Sequence, residues 1–221
     1  MSAETAIVLD TETTGTQEGY EPVEVAWVRV NLYLKELQSF ESRYKPSKPI
    51  TLGAKSVHHI TEDDLTKCDP PSAFRFPPTE YLIGHNIDYD WTAIGKPNVK
   101  RICTLALCRK LWPDADSHTL GAMIYLHRPP EASWMLKNSH SAICDVRNTV
   151  RILHHILDKL GSPKSWEEVW KASEAARIPT VMPFGKHKGT AIKDIPPDYR
   201  RWLLGQSDVD PYLVQALRGG R

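Results

Sequence analysis

The sequence holds little that would tie it to an oxidising compartment, a membrane or a strongly charged partner. Its four cysteines, Cys68, Cys103, Cys108 and Cys144, form no Cys-x-x-Cys pair, and no histidine stands near them at zinc-site spacing. They read as reduced, mostly buried thiols of a cytoplasmic protein. No apolar run approaches the ~20 residues that span a bilayer. The opening MSAETAIVLDTET lacks a basic stretch, an apolar stretch and a small-residue cleavage site in sequence, so neither a signal peptide nor a membrane partner is expected. The formal net charge is only +1, so bulk charge announces no nucleic acid. A local basic face, or metal ions that invert the local field, could still hold phosphates. There are no internal repeats and no low-complexity runs.

What is present is a chain of 221 residues, enough for one full domain and a small appendage. Residues 5–9 are continuously apolar and read as a buried strand. Residues 23–30 and 39–44 read as a second and a third strand, joined as an antiparallel meander. Residues 60–65 read as a short helix with Thr61 as N-cap and Asp64 three residues on. Residues 81–84 form a short apolar strand, Asp90 begins a helix that stops by Gly95 or Pro97, and 99–104 is another strand. Helical patterns follow over 105–112 and 118–126, and residues 127–139, with two prolines, read as a loop. The longest helix spans 142–160, with Val146, Val150, Leu153 and Leu157 at three-to-four spacing, and 166–176 is a further helix. Strands first, then strands mixed with helices, imply an α/β mixed sheet covered by helices.

Three segments carry chemistry. In Asp10-Thr11-Glu12, residues two apart on a strand share a face, so both carboxylates leave the end of a buried strand together. Like charges so placed are unfavourable unless a cation lies between them, and hard oxygen ligands suit Mg²⁺ or Mn²⁺. Alone, the pair reads more readily as a solvated strand end. In Gly84-His85-Asn86-Ile87-Asp88-Tyr89-Asp90 an acid follows an apolar strand where a helix starts, a usual place for site residues in α/β proteins. Alone, it reads equally as an acid favoured by the helix dipole. In His140-Ser141-Ala142-Ile143-Cys144-Asp145, five residues of an ideal helix would not share a face. His140 is therefore placed in the loop before the helix and Asp145 one turn inside, where both can reach one point. A surface histidine beside a surface acid is the plain alternative.

Taken together, Asp10-Thr11-Glu12-Thr13-Thr14-Gly15, His85-Asn86-x-x-Tyr89-Asp90 and His140-x-x-x-x-Asp145 resemble, in order and separation, the DEDD exonuclease superfamily in its catalytic-histidine branch, over residues 4–160. Val57-His58-His59-Ile60-Thr61, Arg101-Ile102-Cys103-Thr104, Lys110-Leu111-Trp112-Pro113, Phe184-Gly185-Lys186-x-x-Gly189 and Tyr199-x-x-Trp202-Leu203 are similar to the exodeoxyribonuclease X subfamily over nearly the whole chain. The resemblance implies a ribonuclease-H-like fold, a five-stranded mixed sheet flanked by helices with a small C-terminal appendage. An exonuclease domain is expected over residues 1–162, and because about forty residues rarely fold alone, 163–221 are expected to form a C-terminal helix plus small basic tail region packed on it. The resemblance also implies metal-dependent 3′→5′ removal of 5′-nucleoside monophosphates from single-stranded or frayed DNA ends. Asp10 would bridge two Mg²⁺ or Mn²⁺ ions, Glu12 and Asp145 would complete one site, and Asp90 would act partly through water. His140 would be the general base, histidine being the side chain that exchanges protons near neutrality. Tyr89 stands where phenylalanine is usual, a nearly isosteric change. Asp88 is an extra acid, which the pattern leaves solvated in favour of Asp90.

Lesser candidates surround these. Thr11, Thr13 and Thr14 lie where relatives cradle the terminal nucleotide with backbone groups, though a polar turn explains their side chains as well. Asn86 and His58 are further substrate-binding candidates, His59 a weaker one, and Glu24 is expected to support the site rather than to ligate. The seven tryptophans are expected mostly in the core, with base stacking the alternative use. After Met182, seven Lys/Arg stand against four acids, and Lys186 and Lys188 flank a turn that could wrap a phosphate or be a plain hairpin. Trp202, Leu203 and Leu204 are candidates for packing on the main domain. An exoribonuclease or oligonucleotidase, with RNA as the substrate, would share the same five residues. A non-catalytic nucleic-acid-binding module would need a lost ligand, and none is lost.

Overall fold

The computed structural model describes residues 4–137 and 140–219. These fall into two compact units, Met1–Ser173 and Glu174–Arg221. The first is built on a five-stranded sheet: β1 (Thr5–Thr13), β2 (Pro22–Asn31), β3 (Glu36–Arg43), β4 (Tyr81–Gly84) and β5 (Lys100–Cys103). The order is β3-β2-β1-β4-β5. The β1–β2 and β2–β3 pairs are antiparallel, the expected meander, whereas β1–β4 and β4–β5 are parallel. The sheet is therefore mixed, with β1 at its centre.

Its helices are α1 (Leu52–His58), α2 (Asp88–Ala93), α3 (Thr104–Leu111), α4 (Leu120–His127), α5 (Ala132–Met135), α6 (Ala142–Lys159) and α7 (Trp166–Arg177). The longest, α6, packs on β1 and β2 because Val146, Ile152, Leu153 and Ile156 form one fully buried stripe. β4 is buried at all four residues, as a central parallel strand with both faces covered must be.

Three expectations need correction. The helix expected over 60–65 is only a 3-10 turn at Asp63–Leu65, although Thr61 and Asp64 do bond as a cap. The true helix of this region, α1, precedes it and is capped by Thr51, whose side chain accepts the Ala54 N–H. It buries only His58, so it has no apolar period to detect. The loop expected over 127–139 contains α5 and begins inside α4, while Asn138 and Ser139 lie outside the described residues. The third strand starts at Glu36 instead of Ser39, on an almost wholly exposed strand where alternation gives no signal.

The second unit holds the end of α7, a turn closed by the Val181–Ala191 bridge, α8 (Pro197–Leu204) and α9 (Pro211–Gly219). It has its own core of Met182, Ile192, Ile195, Leu203, Leu213, Ala216 and Leu217. Leu203 belongs to that core, with Leu204 packed partly against it, whereas Trp202 stays 55% exposed. The tryptophans accordingly divide: Trp27 and Trp166 are buried, Trp134 and Trp202 are not.

Candidate active site

Asp10 and Glu12 stand near the C-terminal end of β1, opposite Ala26 and Glu24 of β2. Asp90 comes to them from the first turn of α2. That approach depends on Gly84, the last residue of β4: a Cβ there would lie 2.9 Å from the Leu9 carbonyl and 2.6 Å from Ile87. Asn86 then turns the chain through a left-handed conformation, φ 76°. Asp90 is fixed by Thr11, whose N–H and hydroxyl both donate to Oδ1 at 2.9 and 2.7 Å. The Asp88 carboxylate is instead paired with Arg101, which lies over the Trp91 ring, so it is held in an ion pair and not simply solvated.

Asp145 is in the first turn of α6, and His140 stands before it with φ 68°. The His140 N–H donates to Asp145 Oδ2 at 3.1 Å. Ligand atoms of Glu12, His140 and Asp145 lie within 4.8 Å of one another. The fold thus brings the loop histidine and the helix acid to one point, beside β1. Glu24 accounts for how α6 is aimed. Its buried carboxylate accepts the Ala142 N–H at 2.9 Å, and its other oxygen accepts from Arg43 Nε at 2.9 Å. Removing Glu24 leaves a buried helix-terminal N–H without its acceptor. Glu24→Ala is expected to lower the unfolding free energy by about 1–3 kcal/mol in urea titrations. Glu24→Gln, which keeps an acceptor, is expected to keep most of it. Equal losses for both would mean that charge and not the hydrogen bond anchors the helix.

The charges converge on Asp10 and Glu12, where every contribution raises the proton affinity. Burial pushes the Glu12 carboxyl up to about 8, and Asp145, Glu24 and Asp90 add to the shift. Burial raises Asp10 well above the carboxylate range, as do Asp90, Asp145, Glu12 and Glu24. Burial raises Asp90 to about 7 against the lowering effect of the Thr11 bonds. Asp145 is raised by burial and partly restored by the His140 N–H. Every contribution at Asp10 and Glu12 has the same sign, which is the situation a divalent cation relieves. A carboxyl whose folded pKa is raised contributes stability that is present at low pH and lost as pH rises through the folded value. In chelator, therefore, the melting temperature is expected to fall as pH rises through about 7 and about 8. Mn²⁺ is expected to restore it, more at alkaline pH than at acid pH. A pH-independent response to Mn²⁺ would show that the ion does not bind these acids.

Beside the acids lies a cavity of about 270 Å³ lined by Thr11, Glu12, Thr13, Gly15, Thr51, Val57, His58 and Tyr89 among others. The threonine hydroxyls of β1 are committed to the protein: Thr11 to Asp90, Thr13 to Tyr89 and the Gly15 carbonyl, and Thr14 accepting the Glu21 N–H. His58 is buried and accepts the Ile60 N–H at Nδ1, so its Nε2–H donates to the Thr13 carbonyl at 3.1 Å. Asn86 is exposed at its turn and does not line this cavity. Lys186 and Lys188 are exposed on the second unit. Sequence reasoning missed the wall supplied by α1, whose one signal was the Thr51 cap. It also undervalued Tyr89: its hydroxyl bonds Thr13 and donates to the Gly15 carbonyl at 2.9 Å, contacts phenylalanine would lack.

This five-stranded mixed sheet flanked by helices matches ribonuclease-H-like exonuclease folds. Residues 7–72 match the family model described as "Exonuclease", and the chain, carrying that domain, is a nuclease, a hydrolase acting on phosphodiester bonds. It is 28% identical to exodeoxyribonuclease 10 of Escherichia coli strain K12 over 96% of each chain. It is also 28% identical, over 62% of its own length and 66% of the relative's, to DNA polymerase III subunit epsilon of Buchnera aphidicola. The solved structure of exonuclease X in complex with 5′-overhanging duplex DNA matches with a TM-score of 0.58 at 22% identity, covering 76% of this chain and 99% of that one. A zinc-bound complex of E. coli exonuclease I with single-stranded DNA matches with a TM-score of 0.59 at 17% identity, covering 95% of this chain and 60% of that one. Residues 175–207 match a second family model, described as "Putative quorum-sensing-regulated virulence factor". Among the described residues, no helix is long and apolar enough to cross a membrane.

Proposed function

We propose that the chain is a 3′→5′ exonuclease that hydrolyses DNA from single-stranded or frayed 3′ ends and releases 5′-nucleoside monophosphates. The observation that carries this reading is the convergence of Glu12, Asp145 and His140 beside Asp10 and Asp90, with Glu12 also lining a cavity of about 270 Å³. The choice of DNA follows the exodeoxyribonuclease resemblance over the whole chain.

Asp10, Glu12, Asp90 and Asp145 would hold two Mg²⁺ or Mn²⁺ ions, which when bound neutralise the phosphate and stabilise the charge on the attacking and leaving oxygens. The residues fit such ions, because burial raises the proton affinity of all four carboxylates, neighbouring acids raise Asp10 and Glu12 further, and a hard cation relieves both effects. Asp10, on which Asp90, Asp145 and Glu12 all act, would be central to holding the ions. Thr11 holds one Asp90 oxygen and so aims the other. His140 takes the proton of the attacking water at a ring nitrogen, and Asp145 orients it through the backbone bond. Backbone groups of residues 11–14, with His58 beside them, would receive the terminal nucleotide, and Asn86 would act from outside the cavity. Lys186 and Lys188 contact phosphates further along the strand.

A 5′-labelled single-stranded DNA and its RNA counterpart, incubated with Mg²⁺, Mn²⁺ or chelator and resolved on a gel, test the reading. A ladder shortening from the 3′ end, on DNA in preference to RNA and only with metal, is expected. Immediate release of the labelled nucleotide would reverse the polarity, and faster loss of the RNA would make the chain an exoribonuclease.

A further inference from the structure

The second unit carries an exposed tryptophan beside a half-buried tyrosine that packs on its core, with cations at the edge. Tyr199 and Trp202 stand three residues apart on α8 and so share one side of it, with ring centroids 5.3 Å apart. Their neighbour Leu203 fills the unit's core, yet Trp202 remains 55% exposed in the intact chain. The turn at residues 184–189 lies against Tyr199. Gly185 adopts φ 71°, and a Cβ there would lie 2.9 Å from the Tyr199 hydroxyl. The His187 ring meets Tyr199 edge-on at 4.5 Å, and Lys186 Nζ lies 5.8 Å from its centroid. Phe184, which opens the turn, is 45% exposed.

Charge separates along the chain in the same sense. Residues 174–221 contain eight Lys/Arg against five Asp/Glu, whereas residues 1–173 contain twenty against twenty-two. The unit with the acidic hydrolytic site is thus net negative, and the attraction for a polyanion resides in the other. An exposed Trp202 ring edged by lysines suits unpaired bases, whose faces are free to stack, and suits a duplex poorly because its bases are already stacked.

We propose that the Tyr199–Trp202 face, with Lys186 and Lys188, is a stacking platform for single-stranded DNA, a binding site in its own right on the second unit. It rests on the nuclease reading only for the choice of DNA as the nucleic acid. Because the platform is covalently joined to the hydrolytic unit, a strand held there stays at high local concentration.

The test is binding of a fluorescein-labelled oligothymidylate to the full chain in chelator, read by anisotropy across a salt series. Trp202→Ala is expected to weaken binding roughly five- to a hundredfold, the scale of one lost stack, with the salt slope unchanged. Trp202→Phe is expected to retain most of the affinity. Lys186→Ala with Lys188→Ala is expected to flatten the slope by about 1.4, since each single-strand phosphate contact contributes about 0.7. Wild-type affinity in Trp202→Ala, with the fold intact by circular dichroism, would overturn the platform. So would a change in sedimentation without a change in oligonucleotide binding, which would make the face a protein contact. Hydrolysis of a thymidine dinucleotide by the wild-type chain with Mn²⁺ reads the chemistry separately. Its failure would sink the nuclease reading and leave the binding result standing.

Discussion

Asp10→Ala is expected to lower kcat by roughly 10⁴-fold, the scale on which removal of a group shared by the whole catalytic assembly costs rate. Asp10 lies at the centre of the charge cluster: Asp90, Asp145, Glu12 and Glu24 all act on it. The same fact predicts an opposite effect on stability. Its folded pKa is raised, so at alkaline pH without metal the ionised group destabilises the fold. Asp10→Asn, close in shape and uncharged, is therefore expected to melt at or above the wild-type temperature in chelator at about pH 8, and to lose the stabilisation that Mn²⁺ gives. Loss of activity together with a lower melting temperature would assign Asp10 a structural role instead. Stopped assays at saturating substrate, run beside thermal melts with and without Mn²⁺, separate the two.

His140→Ala is expected to lower kcat by roughly 10²–10⁴, the range for a lost general base, with Mn²⁺ affinity by calorimetry close to wild type. The geometry makes this informative, since the imidazole lies within reach of both Glu12 and Asp145. A ligand and a base would both cost rate on removal, but only a ligand would cost metal affinity. Loss of Mn²⁺ binding in this variant would place His140 in the metal shell.

The acids were legible through the joint resemblance of three segments, none of which identified the site alone, and short-range rules made their convergence possible. Asp10 and Glu12 follow from the period of two on a buried strand, and the structure places both near the end of the central one. His140 and Asp145 follow from the incompatibility of a five-residue spacing with one helix face, and the helix begins between them. What was hidden is long-range or lacks a period. The bond from Ala142 to Glu24 joins residues 118 apart, and no local pattern announces it. The helix that walls the cavity has no apolar stripe. Tyr89 looked like a conservative exchange until its hydroxyl was seen to bond Thr13 and Gly15. The core of the second unit is assembled from residues 182 to 217, mostly single apolar positions between turns and short helices.

The central claim is that the acids form a metal-dependent hydrolytic centre with His140 outside the metal shell. Anomalous diffraction from crystals grown with Mn²⁺ and a nucleoside monophosphate tests it most directly. Two Mn²⁺ peaks roughly 3.5–4 Å apart are expected, with an Asp10 oxygen between them, contacts from Glu12, Asp90 and Asp145, and the His140 imidazole facing the phosphate. A single peak ligated by Glu12, His140 and Asp145, with Asp10 and Asp90 turned away, would contradict it.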